Sequence, residues 1–209
     1  SNISSANFGN LVGGSFTGQL VIQGKSLTAA PGRTIAGDDI PINTDDIFLV
    51  KFGPDGLRRW ARRFGDDREQ RIHGVAIQAD GTIIVGGASN GTLELDGSSD
   101  APLNGALTKG DKYVGLLAAF DPDGRLVWKR TYTSTNDVAL LNLAIAADDR
   151  ISMYGHAGGD ADFGGGPVVL TDDPNFVAQF EPDGTHRWSS RFFDKQHQPY
   201  NLGTDVTGG

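Results

Sequence analysis

The chain has 209 residues, no cysteine and a formal net charge of −8. The absence of cysteine excludes disulfides, thiolate metal sites and a cysteine nucleophile. The net charge is negative and no basic patch or stripe of the kind that binds nucleic acid is present, so no nucleic-acid partner is expected. No apolar run approaches the roughly 18 residues of a transmembrane segment. No signal segment opens the sequence, so any export signal has been removed or was never present.

The first predicted elements form an incomplete unit. A strand near 7–14 is followed by a long connection that contains Gly18–Gly24, a phrase of two glycines around alternating apolar residues. A second strand, with apolar residues at a period of two, ends at Phe52. A G-P-D-G turn then reverses the chain, and Trp60 and Phe64 fall on one face of the next strand.

This turn recurs twice more. The phrase F-x-P-D-G-x-x-x-W occurs at Phe52–Trp60, Phe120–Trp128 and Phe180–Trp188. Proline presets an early turn position, and glycine supplies the positive φ that closes the hairpin. The turn and core residues predicted from the repeat are Gly56, Trp60, Gly124, Trp128, Gly184 and Trp188. We interpret the tryptophans as core packing between units and not as platforms for sugars.

The second and third units are complete. An earlier hairpin precedes each F-x-P-D-G turn, closed by Asp80 and Gly81 in one unit and by Asp148 and Asp149 in the other. The predicted strands lie near 71–79, 83–89, 113–121 and 125–133 in the second unit, and near 139–147, 151–157, 175–181 and 186–193 in the third. The glycine-flanked phrase returns at Gly91–Gly97 and Gly159–Gly165 as a short excursion before the third strand.

The repeat predicts an all-β fold, a β-propeller segment over 1–209 with about three four-stranded antiparallel blades. A β-sandwich or an open β-repeat array is the alternative. The last segment, 201–205, matches a first strand, so the repeats are approximately 7–64, 71–133, 139–193 and 198–206. Because propellers typically close with 4–8 blades, we expect either a partial propeller with further blades in the same chain, or half of a ring assembled as a homo-oligomer.

Several phrases resemble the repeats of bacterial SBBP-type β-propeller proteins. They are D-I-F-L-V-K-F-G-P-D-G at 46–56, W-A-R-R-F-G at 60–65 and A-D-G-T-I-I-V-G-G at 79–87. The resemblance covers nearly the whole chain. It implies a secreted protein or lipoprotein of the kind found in myxobacteria, located outside the cell or at its surface, with a binding or scaffolding role. It contributes no catalytic residue, and Asp149 and the connection 17–46 depart from its usual pattern.

The topology of such blades separates two faces of the disc. The turns between strands 1 and 2 and between strands 3 and 4 lie on one face, and the remaining connections lie on the other. The variable connections of that second face are 17–46, 65–70, 90–112, 133–138, 158–175 and 194–199. Because function is commonly carried by variable loops on a rigid scaffold, we expect a protein or glycan ligand to bind there.

Side chains with catalytic or metal-binding chemistry are few. Asp160 and Asp162 lie in a glycine-rich loop and are candidate calcium ligands, since this ion prefers carboxylate oxygens; plain loop formation is the alternative, and no other cofactor is expected. The four histidines lack metal-ligand spacing; they are His73, His156, His186 (placed at an exposed strand position) and His197. We interpret the charges between Arg63 and Arg71 as a solvated cluster.

Three functions fit these observations. The favoured one is a non-enzymatic extracellular module that binds a protein or glycan through its variable loops, because no catalytic motif is present. The second is a structural subunit that assembles into a closed ring. The third is a propeller hydrolase or lyase with a site at the central channel, assembled from several blades.

Overall fold

The chain folds into antiparallel β-sheets, which confirms the predicted all-β class. A computed structural model describes residues 9–32, 44–91, 95, 112–170 and 175–191. These residues form fifteen strands and no helix. Accordingly, a search of the described segments finds no helix long and apolar enough to span a membrane.

Three of the sheets are the blades of a propeller, and within each sheet the strands are neighbours in chain order. The first blade contains β1 (Asn10–Phe16), β4 (Asp46–Phe52) and β5 (Arg58–Phe64). The second contains β6 (Gln70–Ile77), β7 (Ile83–Ser89), β8 (Val114–Phe120) and β9 (Leu126–Tyr132). The third contains β10 (Val138–Ile145), β11 (Ile151–Ala157), β14 (Asn175–Phe180) and β15 (His186–Arg191). The segment 198–206 lies outside the described residues.

The predicted excursions before each third strand are small hairpins in the first and third blades. In the first blade β2 (Gln19–Ile22) pairs with β3 (Lys25–Thr28), and in the third β12 (Ala161–Asp162) pairs with β13 (Pro167–Val168). The apolar residue near the end of the phrase is buried in the second and third blades, where Leu95 is 3% exposed and Phe163 is 2% exposed. Each belongs to an apolar core shared by two blades. These excursions therefore contribute to the packing between adjacent blades.

The repeated turns have the backbone geometry that their sequence requires. The glycine of each P-D-G turn has a positive φ, which is 73° at Gly56, 77° at Gly124 and 79° at Gly184. Its amide donates to the carbonyl three residues earlier, and a register shift follows where each turn joins its strands. Asp149 takes a φ of 64° in the position that glycine occupies in the second blade, a region that Asp tolerates better than most residues.

Two apolar cores join the three blades face to face. The core between the first and second blades contains Ile47, Leu49, Phe64, Ile83, Val85, Leu95, Leu116, Ala118 and Phe120. The core between the second and third includes Ile84, Leu117, Tyr132, Leu140, Met153, Phe163, Phe176 and Phe180. Full burial of a side chain such as Phe120 stabilises the fold by about 1.5–3 kcal/mol. The blades are therefore held together mainly by the apolar faces of their strands.

At the turn face, each of these two interfaces contains the same contact, which we call the indole–turn contact. The indole of a strand-4 tryptophan lies against the P-D-G turn of the next blade. Trp60 Nε1 donates to the Pro122 carbonyl over 3.0 Å, and a Cβ built on Gly124 would lie 3.1 Å from the Trp60 ring. A Cβ built on Gly184 would lie 2.8–3.0 Å from three atoms of the Trp128 ring. Glycine is required at both positions, because a side chain would collide with the ring and because the backbone φ is positive.

An arginine two residues after each of these tryptophans completes the contact. Arg62 donates to the Asp123 carbonyl over 3.0 Å, and Arg130 Nε lies 3.5 Å from the Gly184 carbonyl. The guanidinium carbons lie 6.0 Å and 5.8 Å from the centroids of the Trp60 and Trp128 rings, respectively. This is the range of a cation–π interaction.

Trp188 departs from the expectation of core packing. Its side chain is 42% exposed, and its Nε1 donates over 3.2 Å to Gln179 of its own blade. The two earlier tryptophans are partly buried against the cores. The third blade thus contributes no indole–turn contact within the described residues.

The indole–turn contact predicts a specific cost for filling the turn glycine. Gly184→Ala places a methyl group against the rigid Trp128 ring, whereas Gly24→Ala adds one at a similarly positive φ of 77° with open space around it. We expect Gly184→Ala to lower the free energy of unfolding by about 1–3 kcal/mol more than Gly24→Ala. Urea denaturation of both variants measures the difference, and equal costs would contradict the contact.

Lys51 is a charged residue buried between the first two blades. It is 5% exposed, stands opposite Trp60 in the sheet, and its Nζ has no hydrogen-bond partner. Burial lowers the pKa of this ammonium from its ordinary value of 10.5. An uncompensated buried charge is costly, so Lys51 destabilises the fold that it occupies.

We expect Lys51→Met to stabilise the protein by about 1 kcal/mol or more at neutral pH. The folded state binds its proton less tightly than the unfolded state does, so the advantage of Met shrinks as pH rises towards 10.5. Melting temperatures of the wild type and the variant between pH 7 and pH 10 test this. An advantage that grows with pH would be inconsistent with a buried ammonium.

Candidate functional site

The described connections of the loop face come together between the blades. The loop face consists of 44–45, 65–71, 89–91, 112–113, 133–137 and 158–161, opposite the hairpin turns. The tips of the two excursion hairpins, predicted to lie on this face, reach the turn face instead, where Gln23 Nε2 donates to the Gly56 carbonyl over 2.9 Å and Gly165 lies against His186. Asn90 N donates to the Glu69 carbonyl over 3.1 Å, and Gly158 N donates to the Asp137 carbonyl over 2.8 Å. Each 4–1 connection is thus bonded to the end of the neighbouring second strand, so these loops form a continuous, backbone-bonded surface.

Tyr113 links the two 4–1 connections of this surface. Its carbonyl accepts from Val138 N over 2.9 Å, and its amide donates to Asp137 Oδ1 over 2.7 Å. Its phenol donates to Glu69 in the other connection. Burial, together with the Glu69 carboxylate, raises the pKa of Tyr113 above its ordinary value. Its hydroxyl is therefore a neutral donor at physiological pH.

Charged groups surround this phenol. Arg71 forms an ion pair with Glu69 and lies 3.6 Å from Asp45 Oδ2. The Glu69 amide donates to Asn90 Oδ1 over 2.9 Å, which fixes the backbone that carries the carboxylate. About half of the Arg71 side chain (49%) stays exposed. We call Asp45, Glu69, Arg71, Tyr113 and Asp137 the loop-face cluster.

The loop-face cluster rests on a buried polar layer, which the interpretation of this segment as a solvated charge cluster did not include. Gln70 is fully buried and donates to Asp66 Oδ1 over 2.6 Å, while its Oε1 accepts from the Asp66 amide over 3.2 Å. Beside it Asp46 is also fully buried, accepting from Ala30 N over 2.8 Å and from Arg63. The charged side chains from Arg63 to Arg71 themselves remain partly or fully exposed.

The carboxyl group of Asp46 has a raised pKa. Burial raises its pKa, although the Ala30 amide and Arg63 act in the opposite direction. Its Oδ1 has no hydrogen-bond partner and would lie 2.3 Å from a Cβ on Gly65, whose φ is 149°. Gly65 is therefore needed to leave room for the buried carboxylate.

The candidate calcium ligands Asp160 and Asp162 bind backbone amides of their own loop. Asp162 Oδ1 accepts from Gly164 N over 2.7 Å and from Gly166 N over 3.1 Å, and Asp160 Oδ1 accepts from Leu170 N over 3.1 Å. Within the part of the chain that the structure describes, no group of three His, Cys, Asp or Glu side chains is placed to hold a metal ion. The calcium hypothesis stays a prediction.

The three described histidines lie apart in the fold. His73 occupies the bulge of β6, where burial and Arg71 lower its pKa. His156 pairs with Ala139 and Asn175 in the third sheet. His186 is half-buried against the loop at Gly165 and within 3.0 Å of Ser189 Oγ, not at the exposed position expected of it. His197 lies outside the described residues.

Sequence reasoning missed Tyr113 and Gln70 because neither belongs to a motif. The repeat does contain a signal for two other buried polar residues, Asp46 and Lys51. The equivalent positions in the second blade hold the apolar residues Val114 and Ala119. A charged residue at a position that is apolar in another repeat copy marks a buried polar layer specific to one interface. Both residues prove to be buried.

The comparisons with known proteins agree with the fold. No family model matches the chain. The chain is similar to an uncharacterised WD repeat-containing protein of Acanthamoeba polyphaga mimivirus, with 25% identity over 112 residues. The matched part is 54% of this chain and only 8% of that protein's length. Together with the sheets described above, this similarity supports a repeat protein of the β-propeller type.

The role of Asp162 is tested by two substitutions. Because its Oδ1 accepts two amides, Asp162→Ala should lower the free energy of unfolding by about 1 kcal/mol, and Asp162→Asn, which keeps an acceptor, should cost less. Thermal melts with EDTA and with added calcium make the comparison. A calcium-dependent gain in melting temperature that Asp162→Asn abolishes would instead support the metal site.

Proposed function

We propose that this chain is a non-enzymatic extracellular module that binds a partner protein through its loop face. The loop-face cluster is the observation that supports this function most directly. It presents a half-exposed arginine, paired with Glu69, beside a tyrosine whose backbone is bonded to Asp137 and Val138. Arginine and tyrosine are enriched among residues that dominate protein–protein binding energy, and preorganised side chains lose little entropy on binding.

Charge defines the kind of partner. Three carboxylates of the loop-face cluster, those of Asp45, Glu69 and Asp137, accompany one guanidinium, and the whole chain carries −8. Complementary potentials favour a partner with a basic surface and accelerate its encounter at low salt. Binding should therefore weaken as ionic strength rises.

The similarity to a WD repeat-containing protein supports a propeller role in protein interaction, since propellers present loops from a rigid scaffold. The bacterial, secreted or cell-surface location is inferred from the resemblance of the repeats. A protein ligand is preferred to a glycan because the two most exposed side chains of the cluster, Arg71 and Asp137, are charged.

The experiment compares two matched ion pairs. Arg71 and Glu69 lie on the loop face, and Arg125 and Asp123 form an exposed pair on the turn face with N–O distance 3.1 Å. A partner isolated with the wild-type chain should bind Arg71→Ala and Glu69→Ala at least about tenfold more weakly. Arg125→Ala and Asp123→Ala should bind it unchanged, as measured by titration calorimetry.

Three results would contradict the proposal. Equal losses in both sets of variants would place binding elsewhere. A retained polysaccharide would indicate a glycan ligand. Turnover of a retained substrate that Glu69→Ala abolishes would favour the hydrolase or lyase alternative.

A further inference from the structure

Two buried acceptor oxygens lie close together between the first and second blades, in the polar layer beneath the loop-face cluster. Asp46 belongs to the first blade and Gln70 to the second, and both side chains are fully buried. Asp46 Oδ1 and Gln70 Oε1 both lie within 2.6 Å of the point where a Cβ on Gly65 would stand. The Asp46 oxygen has no hydrogen-bond partner, and the Gln70 oxygen accepts a long bond of 3.2 Å from the Asp66 amide. A buried acceptor without a donor is costly, so this pair of oxygens lacks a proton.

The groups that face the Asp46 carboxyl come from four parts of the fold. Arg63 of β5 donates to Oδ2, and the Ala30 amide, just after β3, donates to the same oxygen over 2.8 Å. The Asp66 carboxylate lies in the connection between the first two blades and disfavours the ionised form, and Gln70 of β6 lies beside Oδ1. Burial, with a smaller contribution from Asp66, outweighs Arg63 and Ala30 and raises the pKa of Asp46 above 3.8.

We propose that Asp46 is a pH-sensitive switch between the first two blades, and that its protonation sets the rigidity of the loop face. With a proton on Oδ1, the carboxyl donates to Gln70 Oε1 and joins the two blades, while Oδ2 still accepts from Ala30. Without this proton, the lone pairs of two oxygens meet in a buried space, where water screens their repulsion only weakly.

The switch reaches the loop face through Gln70. The Gln70 amide donates to the Asp45 carbonyl over 2.8 Å, and its neighbours in the chain, Glu69 and Arg71, belong to the loop-face cluster. A Gln70 side chain that is bonded to Asp46 therefore fixes the start of the strand that carries both charged side chains. This inference rests on the proposed function and adds its regulation, since acidification should make the binding surface more rigid.

Asp46→Asn imitates the protonated state at every pH, because its amide nitrogen donates to Gln70 while its oxygen accepts from Ala30. A raised carboxyl pKa contributes stability that is present below pH 3.8 and is lost as pH rises through the folded value. Asp46→Asn should therefore raise the melting temperature at pH 7 by about 2 °C or more, and the gain should shrink as pH falls towards 3.8. Asp55→Asn is the control of opposite sign, because a hydrogen bond from the Leu57 amide lowers the pKa of Asp55; it should bring no gain at pH 7.

Two measurements separate the switch from a general gain in stability. Gln70→Met removes the acceptor, so Asp46→Asn should bring no gain in that background. Hydrogen exchange at pH 7 reports on the loop face, where the Glu69 and Asn90 amides donate to each other's residue. Asp46→Asn should slow the exchange of both amides at least about tenfold, whereas Gly158, which donates at the other interface, should keep its wild-type rate.

Three results overturn the switch: a gain in melting temperature that persists in Gln70→Met, an equal gain at pH 7 and near pH 3.8, or unchanged exchange of the Glu69 and Asn90 amides. These measurements use the chain alone, so they test the switch separately from the proposed function. A partner retained by the loop face should bind Asp46→Asn about threefold or more tightly at pH 7 than it binds the wild type. Equal affinities would overturn the regulation while leaving partner binding itself intact.

Discussion

Successive blades of this arc meet at the turn face where an indole ring lies against a turn glycine. The contact imposes two requirements at once: glycine must supply both a positive φ and an absent side chain, and tryptophan must stand two residues into the next strand. At the first interface the proline carbonyl also accepts the indole N–H. The phrase F-x-P-D-G-x-x-x-W contains all of them. The phrase recurs because each turn has two tasks. It closes a hairpin within its own blade, and it packs against the tryptophan ring of the preceding blade.

Because the turns are committed to holding blades together, the opposite face is free to vary. Its connections differ in length and sequence, yet the described ones are tied by backbone hydrogen bonds to neighbouring strand ends. Tyr113 illustrates the result, since its backbone is fixed by one connection and its phenol by another. A rigid loop surface of this kind is suited to recognition, in which little conformational entropy is lost on binding.

Sequence reasoning predicted the strands closely because two periodic signals coincide, the alternation of apolar residues and the repeat of turn residues. It predicted 83–89 and 151–157, the bounds that β7 and β11 have. It failed where a single copy departs from the repeat. Asp46 and Lys51 break an apolar pattern, and only packing against a neighbouring blade shows that both are buried. The exposure of Trp188 likewise depends on which surface packs against the third blade, and no local pattern encodes that surface.

The central claim is that the ring and the turn glycine make direct contact across a blade interface. A double-mutant cycle of Trp128→Ala with Gly184→Ala tests it most directly, using free energies of unfolding. The account predicts strong non-additivity: removing the ring should relieve the methyl clash, with a coupling energy of about 1 kcal/mol or more. Additivity within about 0.3–0.5 kcal/mol would show that the two residues act independently and would contradict the contact.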